Sequence, residues 1–175
     1  MIISITGTPG TGKSSAGLAL RARGRHVVEL GDLIREHGLH EGVDEERGSL
    51  EVDVDVLADR VPALLPAGEV LLIGHLSHLV PSELVIVLRC RPSVLEKRLM
   101  GRGWADAKVR ENMEAEALDV ILVEAVESER ETVEIDTTEM SKDQVADAVE
   151  DVLAGEREKY AVGNIDWSQE VLGWY

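Results

Sequence analysis

The chain has no phenylalanine, one cysteine and five lysines in 175 residues. A lone Cys90 excludes an intramolecular disulfide and a cysteine-based zinc site, and its expected role is that of a small buried residue. Long apolar runs are missing as well. The longest, Leu84 to Leu88 and Val120 to Val123, fall far short of the roughly 20 residues of a membrane helix, which excludes a spanning segment. The opening Met1-Ile2-Ile3-Ser4 shows neither a basic region nor a cleavable apolar stretch, so the expected location is cytoplasmic. A chain of this size, 44% hydrophobic, suits one compact domain.

Positive charge is scarce: 18 basic against 34 acidic side chains give a net charge of −16. Residues 111 to 158 hold 17 Asp/Glu and three Lys/Arg, a net of −14. Residues 89 to 110 run the other way, with seven basic against two acidic residues. A basic island in an acidic chain suits a small polyanion better than an extended nucleic acid, so direct sequence-specific nucleic-acid binding is not expected. An ordinary solvated helix face is the alternative. The preference for arginine over lysine, with a dense carboxylate surface, resembles proteins from salt-loaded cytoplasms.

Strand and helix patterns alternate along the chain. Ile2 to Thr6, Val27 to Leu30, Val70 to Ile73, Leu84 to Leu88 and Glu131 to Ile135 read as five short strands. Helices are expected over Ser14 to Arg23, Asp32 to His37, Asp53 to Leu65, Pro92 to Leu99 and Lys142 to Leu153, the last entered through Ser141 as N-cap. Ala105 to Glu127 reads as the longest helix, with Val109, Met113, Ala117, Val120 and Ile121 as its apolar stripe. This alternation predicts an α/β fold, a five-stranded doubly wound parallel sheet.

Gly7-Thr8-Pro9-Gly10-Thr11-Gly12-Lys13-Ser14 satisfies G-x-x-x-x-G-K-[ST] between a strand and a helix, the context a P-loop requires. Its glycines allow backbone N–H groups to turn inward around phosphate oxygens, and the helix N-terminus adds partial positive charge. Lys13 is then expected to neutralise the β- and γ-phosphates of ATP, and the Ser14 hydroxyl to ligate Mg²⁺. No N-K-x-D stretch is present to read guanine, which disfavours a GTPase. Gly31-Asp32-Leu33-Ile34-Arg35 places an arginine one turn into a helix, where it can grip the phosphate of a nucleoside monophosphate. A surface pair with Glu36 or Glu29 is the alternative. Arg98 and Arg102, four apart at a helix end, can reach the transferring phosphates from a short lid.

Together these segments resemble a nucleoside monophosphate kinase, and more narrowly the adenylate kinase isoenzyme 6 family, with an archaeal, halophile-like cast. The resemblance runs from Ile2 to about Leu153 through T-G-T-P-G-T-G-K-S, G-D-L-I-R-E, G-H-L-S-H (Gly74 to His78), V-L-R (Val87 to Arg89), G-R-G-W and E-N-M-E-A-E (Glu111 to Glu116). It implies a P-loop kinase domain over residues 1–154, a monophosphate-binding region at about 30–53 and a lid at about 101–111. Gly10, Thr11, Gly12, Lys13, Ser14 and Ser15 become ATP contacts, with Arg102 joining from the lid. The implied activity is broad-specificity nucleoside monophosphate phosphorylation, ATP and AMP giving two ADP, with ATPase activity. The family also implies a role in late small-subunit (16S rRNA) maturation, through transient binding to a ribosomal protein and the pre-30S particle.

One departure stands out. Relatives end the third strand with an acidic residue before Gly-His, a carboxylate that holds water on Mg²⁺, whereas this chain has Ile73. Asp32 is the candidate substitute, with a monophosphate-side or capping role equally open. His75 and His78 occupy the segment after that strand, either to orient water or charge at the γ-phosphate or to pack at a strand end. Asp136-Thr137-Thr138 lies where similar kinases meet the adenine ring, or else caps the next helix. The 155–175 tail holds Tyr160, Trp167, Trp174 and Tyr175, which either dock a partner or fold back on the domain.

The expected mechanism is in-line transfer from ATP·Mg²⁺. Lys13 and the loop amides hold the donor, Arg35 the acceptor, and Arg98 and Arg102 close over the moving charge, while His75 serves hydrolysis. A nucleotide-switched ribosome assembly factor with incidental kinase turnover is the alternative, and a kinase for a non-nucleotide metabolite is disfavoured by G-D-L-x-R.

Overall fold

Apolar runs of four to six residues have too few polar positions to face water on either side, and they settle inside a parallel sheet. The computed structural model describes residues 1–44 and 49–174. The stretch 45–48 of the expected monophosphate-binding region, and Tyr175 of the tail, lie outside the described residues. Along the chain, β1 (Ile2–Thr6) leads into α1 (Lys13–Ala22), β2 (Val27–Glu29) and α2 (Leu30–His37). A small hairpin of β3 (Gly42–Asp44) and β4 (Ser49–Glu51) precedes α3 (Val54–Leu64), β5 (Val70–Ile73) and β6 (Leu84–Arg89). Then come α4 (Pro92–Met100), α5 (Asp106–Ala117), α6 (Val120–Glu127), β7 (Glu131–Asp136), α7 (Lys142–Leu153) and a short α8 (Ser168–Leu172).

The main sheet has the order β2-β5-β1-β6-β7, with all pairs parallel. This is the expected five-stranded doubly wound sheet. Alternate side chains choose the faces: Ile3, Ile5, Leu71, Ile73, Ile86 and Leu88 pack with α1 and α7 residues such as Leu20 and Val149. Leu72 faces α2 and α3, and Val85 and Val87 meet Leu122 and Ala125 of α6. Chain direction across the sheet reverses at β1, so the loop after β1 opens at the switch point where parallel α/β sheets hold ligands. Ser141 does cap α7: its hydroxyl accepts from Gln144 N at 3.2 Å, and Ser141 N donates to Gln144 Oε1 at 2.9 Å.

The single long helix expected from Ala105 to Glu127 is two helices. Asp119 breaks it with a left-handed backbone, φ 57°, and its carboxylate takes the Arg89 guanidinium. A left-handed non-glycine residue costs about 1–2 kcal/mol, and a hydrogen bond to a charged group returns about 1.5–3 kcal/mol, so the break is sustained. The apolar stripe ends there too. Val109 packs under α4, but Val120 is turned outward and Leu122 and Ala125 take over the core.

The tail folds back. Ala161 bridges Val133 of β7, and Gly163, Asn164 and Ile165 donate backbone N–H groups to Glu134 Oε1 at 2.8–3.2 Å. Trp167 is buried. Cys90 is buried as expected, and burial pushes its thiol up to about 11, so it stays protonated.

Candidate active site

The turn from β1 into α1 depends on glycine at two places. A Cβ on Gly7 would stand 2.3 Å from Leu88 O, and Gly12, the N-cap of α1, has φ 100° with open space where a side chain would project. No side chain caps α1, so its first N–H groups remain available to an anion. Thr11 contributes backbone to this loop and turns its hydroxyl inward, to Thr8 O at 2.9 Å. Thr137 Oγ1 holds Thr11 O at 2.7 Å, tying the loop to the chain after β7.

Lys13 Nζ donates to the carbonyls of Gly7 at 2.5 Å and Thr8 at 2.9 Å. Burial, with Arg102 adding to it against the opposing carboxylates Glu116 and Glu29, lowers its ammonium to about 7. Ser14 and Ser15 stand exposed on the first turn of α1. Ser14 opens onto a cavity of about 470 Å³ that also receives Gly10, Gly12, Lys13, Asp32, Arg35, His75 and Arg102. Residues assigned from four separate motifs therefore share one hollow. Ser15 lines a second hollow of about 340 Å³ on the far side of the loop, together with Arg98, Arg102, Thr137 and Met140.

Arg35 pairs with Asp32, Nη2 to Oδ1 at 2.5 Å, and not with Glu36 or Glu29. Asp32 does not cap α2, which begins at Leu30 without a side-chain cap. Arg98 is placed differently from the expected reach over the phosphates. Its guanidinium donates to the carbonyls of Gly10 at 3.3 Å, Thr137 at 3.0 Å and Thr138 at 3.1 Å, fastening α4 to the loop. Arg102 borders both hollows.

The segment carrying His75 is sewn to β1 by Ser4 Oγ on Ser77 O at 2.8 Å and Thr6 Oγ1 on His75 O at 3.1 Å. His75 opens onto the cavity, and its low-dielectric walls, then Lys13 and His78, lower its imidazole to about 4. It is therefore neutral at pH 7, and the same surroundings oppose its taking up a proton. His78 takes the packing role. It is buried, with Nδ1 at 2.9 Å from Thr6 Oγ1 and Nε2 at 2.8 Å from Glu124. Asp136 folds onto its own turn, accepting from Thr138 N at 2.9 Å.

Three further residues stand at or behind this site that the sequence does not assign to it. Glu29, at the end of β2, lines the main cavity, and burial raises its carboxyl above the usual range. Glu116 is buried behind the loop and accepts from Thr8 Oγ1 at 2.5 Å, Arg89 Nε at 2.8 Å, Cys90 N at 3.1 Å and Trp167 Nε1 at 3.2 Å. Trp167 thereby joins the tail to the P-loop. The one sequence signal for Glu116 was its place in E-N-M-E-A-E; Trp167 had only its aromaticity. For Mg²⁺, the Ser14 hydroxyl with the Glu29 and Asp32 carboxylates forms a set of hard oxygen donors around one cavity, which fits the ion.

Comparison with known proteins matches the family described as AAA domain over residues 3–119. An Archaeoglobus fulgidus protein named "Putative adenylate kinase" is 49% identical, the match covering 98% of this chain and 94% of the relative. Proteins of the same name from Natronomonas pharaonis and Methanothermobacter thermautotrophicus are 49% and 47% identical, over 98% of this chain and all of theirs. A gluconokinase structure from Sinorhizobium meliloti superposes with TM-score 0.54 at 19% identity, covering 90% of this chain and 93% of that one. At that identity the likeness concerns the fold.

Proposed function

We propose, from the premise that this chain belongs to the AAA domain family together with these archaeal relatives, that it is a P-loop nucleotide kinase transferring the γ-phosphoryl group of ATP to AMP or another nucleoside monophosphate. The observation that carries this reading is one cavity lined by Lys13 and Ser14, which we read as the donor side, and by Arg35 and Asp32, which we read as the acceptor side. The relatives' name supports adenylate kinase chemistry over a sugar kinase.

In this reading the amides of the loop and the α1 N-terminus hold the donor's phosphates, and Lys13 moves from its own loop carbonyls onto the β- and γ-oxygens. Polyphosphate charge there restores its protonated form. The Ser14 hydroxyl, with carboxylate help, would hold Mg²⁺, which when bound would supply neutralising charge to the donor's phosphates. Arg35 exchanges Asp32 for the acceptor phosphate, whose oxygen attacks the γ-phosphorus in line while the bond to the β-phosphate oxygen breaks. Arg102, at the border of the two hollows, covers the transferring charge. Arg98 acts as a positioning residue, since its donors are committed to carbonyls. The hollow beside Thr137 and Met140 receives the base of ATP. The lid and monophosphate-binding regions at about 101–111 and 30–53 belong to this reading, as does ATPase activity, with neutral His75 orienting water by a hydrogen bond when no acceptor is bound. A ribosomal partner is not part of it.

The test is ADP formation from ATP with AMP present, run beside phosphate release without AMP. The expected result is ADP formation that depends on AMP and exceeds hydrolysis. Phosphate release unaffected by AMP, with no ADP gained from it, would favour a nucleotide-switched assembly factor.

A further inference from the structure

Ile73 ends β5 at the cavity with an apolar side chain, at the position where the family resemblance implies a carboxylate. Its register partner on the adjacent strand β2 is Glu29. Glu29 opens onto the same cavity as Lys13 and Ser14. Opposite it, α1 carries Gly17, where a Cβ would lie 3.3 Å from Glu29 Oε1, so the helix leaves room for this carboxylate. Its one charged side-chain partner among the described residues is Arg21 at 3.9 Å, beyond hydrogen-bond reach, and its oxygens keep lone pairs for water. Asp32 is placed otherwise. Its Oδ1 takes the Arg35 guanidinium, and its side chain is 70% exposed against 22% for Glu29.

We infer that Glu29 supplies, from the neighbouring strand, the carboxylate missing at residue 73, and orients water on the Mg²⁺ that accompanies nucleotide phosphates at Ser14. Mg²⁺ keeps several waters and needs only one or two carboxylates beside the phosphates, so a carboxylate one strand removed can serve through a water. The inference rests on the nucleotide-kinase reading above. It divides the two acids: Glu29 serves the cation, and Asp32 parks Arg35 until an acceptor phosphate replaces it.

The experiment is calorimetric titration of the full chain with ATP, with and without Mg²⁺, for the wild type, Glu29→Gln, Asp32→Asn and the double variant Glu29→Gln/Ile73→Asp. Loss of an outer-sphere carboxylate is worth about 10- to 100-fold in metal affinity, and Glu29→Gln is expected to lose that much of the affinity gained with Mg²⁺. Metal-free ATP affinity should stay at or above the wild-type level, because a negative charge beside the phosphates has been removed; this also verifies folding. Asp32→Asn is expected to keep most of the Mg²⁺ gain, and Ile73→Asp to restore it in the double variant. A full Mg²⁺ gain in Glu29→Gln, or its disappearance in Asp32→Asn instead, overturns the role of Glu29 alone. Failure of the double variant to recover, with metal-free affinity intact, overturns it too. A wild-type chain that binds no ATP in either condition overturns the nucleotide-kinase reading and Glu29's role with it.

Discussion

The two sides of the cavity, assigned by the proposal to donor and acceptor, are built in opposite ways. Behind the donor loop, Thr8, Thr11, Glu116 and Arg89 are all buried to 3% exposure or less, and each is bonded to elements distant in sequence. On the proposed acceptor side, Arg35 and Asp32 pair with each other and with no other charged side chain among the described residues, with 61% and 70% of their side chains exposed. A buried charged network is costly to disturb, whereas an exposed ion pair contributes about 0–1 kcal/mol and exchanges partners freely. The contrast suits an enzyme that keeps a fixed seat for one nucleotide and a movable grip for the other.

The sharpest way to break this comparison is at Lys13, which on the proposed reading every reaction of the donor uses. Lys13→Ala is expected to lower both AMP phosphorylation and ATP hydrolysis by about 10³-fold, the scale for removing a group that stabilises charge in the transition state. Rates within tenfold of wild type, about 1.4 kcal/mol, would show that the loop is not the donor seat.

Next in size is the buried hub. Glu116→Gln leaves Arg89, which also bonds Glu134 at 2.9 Å, short of one carboxylate. Breaking one partner of a buried ion pair costs about 3–5 kcal/mol; with two carboxylates still on Arg89, the lower end is expected, read from denaturant unfolding. ATP affinity should fall with it, because Thr8 loses its acceptor. Equal stability would mean the hub is no support for the loop.

Arg35→Ala is expected to raise the KM for AMP by about 10- to 100-fold, the equivalent of a charge-assisted hydrogen bond of about 1.5–3 kcal/mol. ATP hydrolysis without AMP should be unchanged. Equal losses in both reactions would dissolve the division into two sides.

The smallest effect is a proton. Lys13 at about 7 is mostly neutral at pH 8, and phosphates favour its charged form, so ATP binding at pH 8 should take up most of one proton and much less at pH 6. Calorimetry in two buffers of different ionisation enthalpy reads this directly. The sign for stability follows from the same residue: its folded value lies below the unfolded one, the unfolded chain binds more protons between about 7 and 10.5, and the nucleotide-free protein gains stability as pH rises through that window.

The sheet, the P-loop and the place of Arg35 at the cavity were legible in sequence because each depends on neighbours in the chain: apolar runs, glycines at set spacings, an arginine one turn into a helix. The break at Asp119 was not. Its left-handed backbone is sustained by Arg89, thirty residues earlier, and helical periodicity alone continues straight through it. Glu116 looked like one more acid in an acidic stretch until folding buried it behind Thr8, and Trp167 lay past the point where the fold looked complete. Glu29 shows the same limit differently, since its relation to Ile73 exists only in the strand register. The three-residue strands of the hairpin at 42–51 were too short to give an alternation.

Titration with a bisubstrate analogue, two nucleosides joined by a polyphosphate chain, addresses the central claim that donor and acceptor seats form one cavity. One analogue is expected to bind per chain, displaced by ATP and by AMP, with affinity lowered in both Lys13→Ala and Arg35→Ala. Binding that survives Arg35→Ala at full strength, or two analogues per chain, would contradict it.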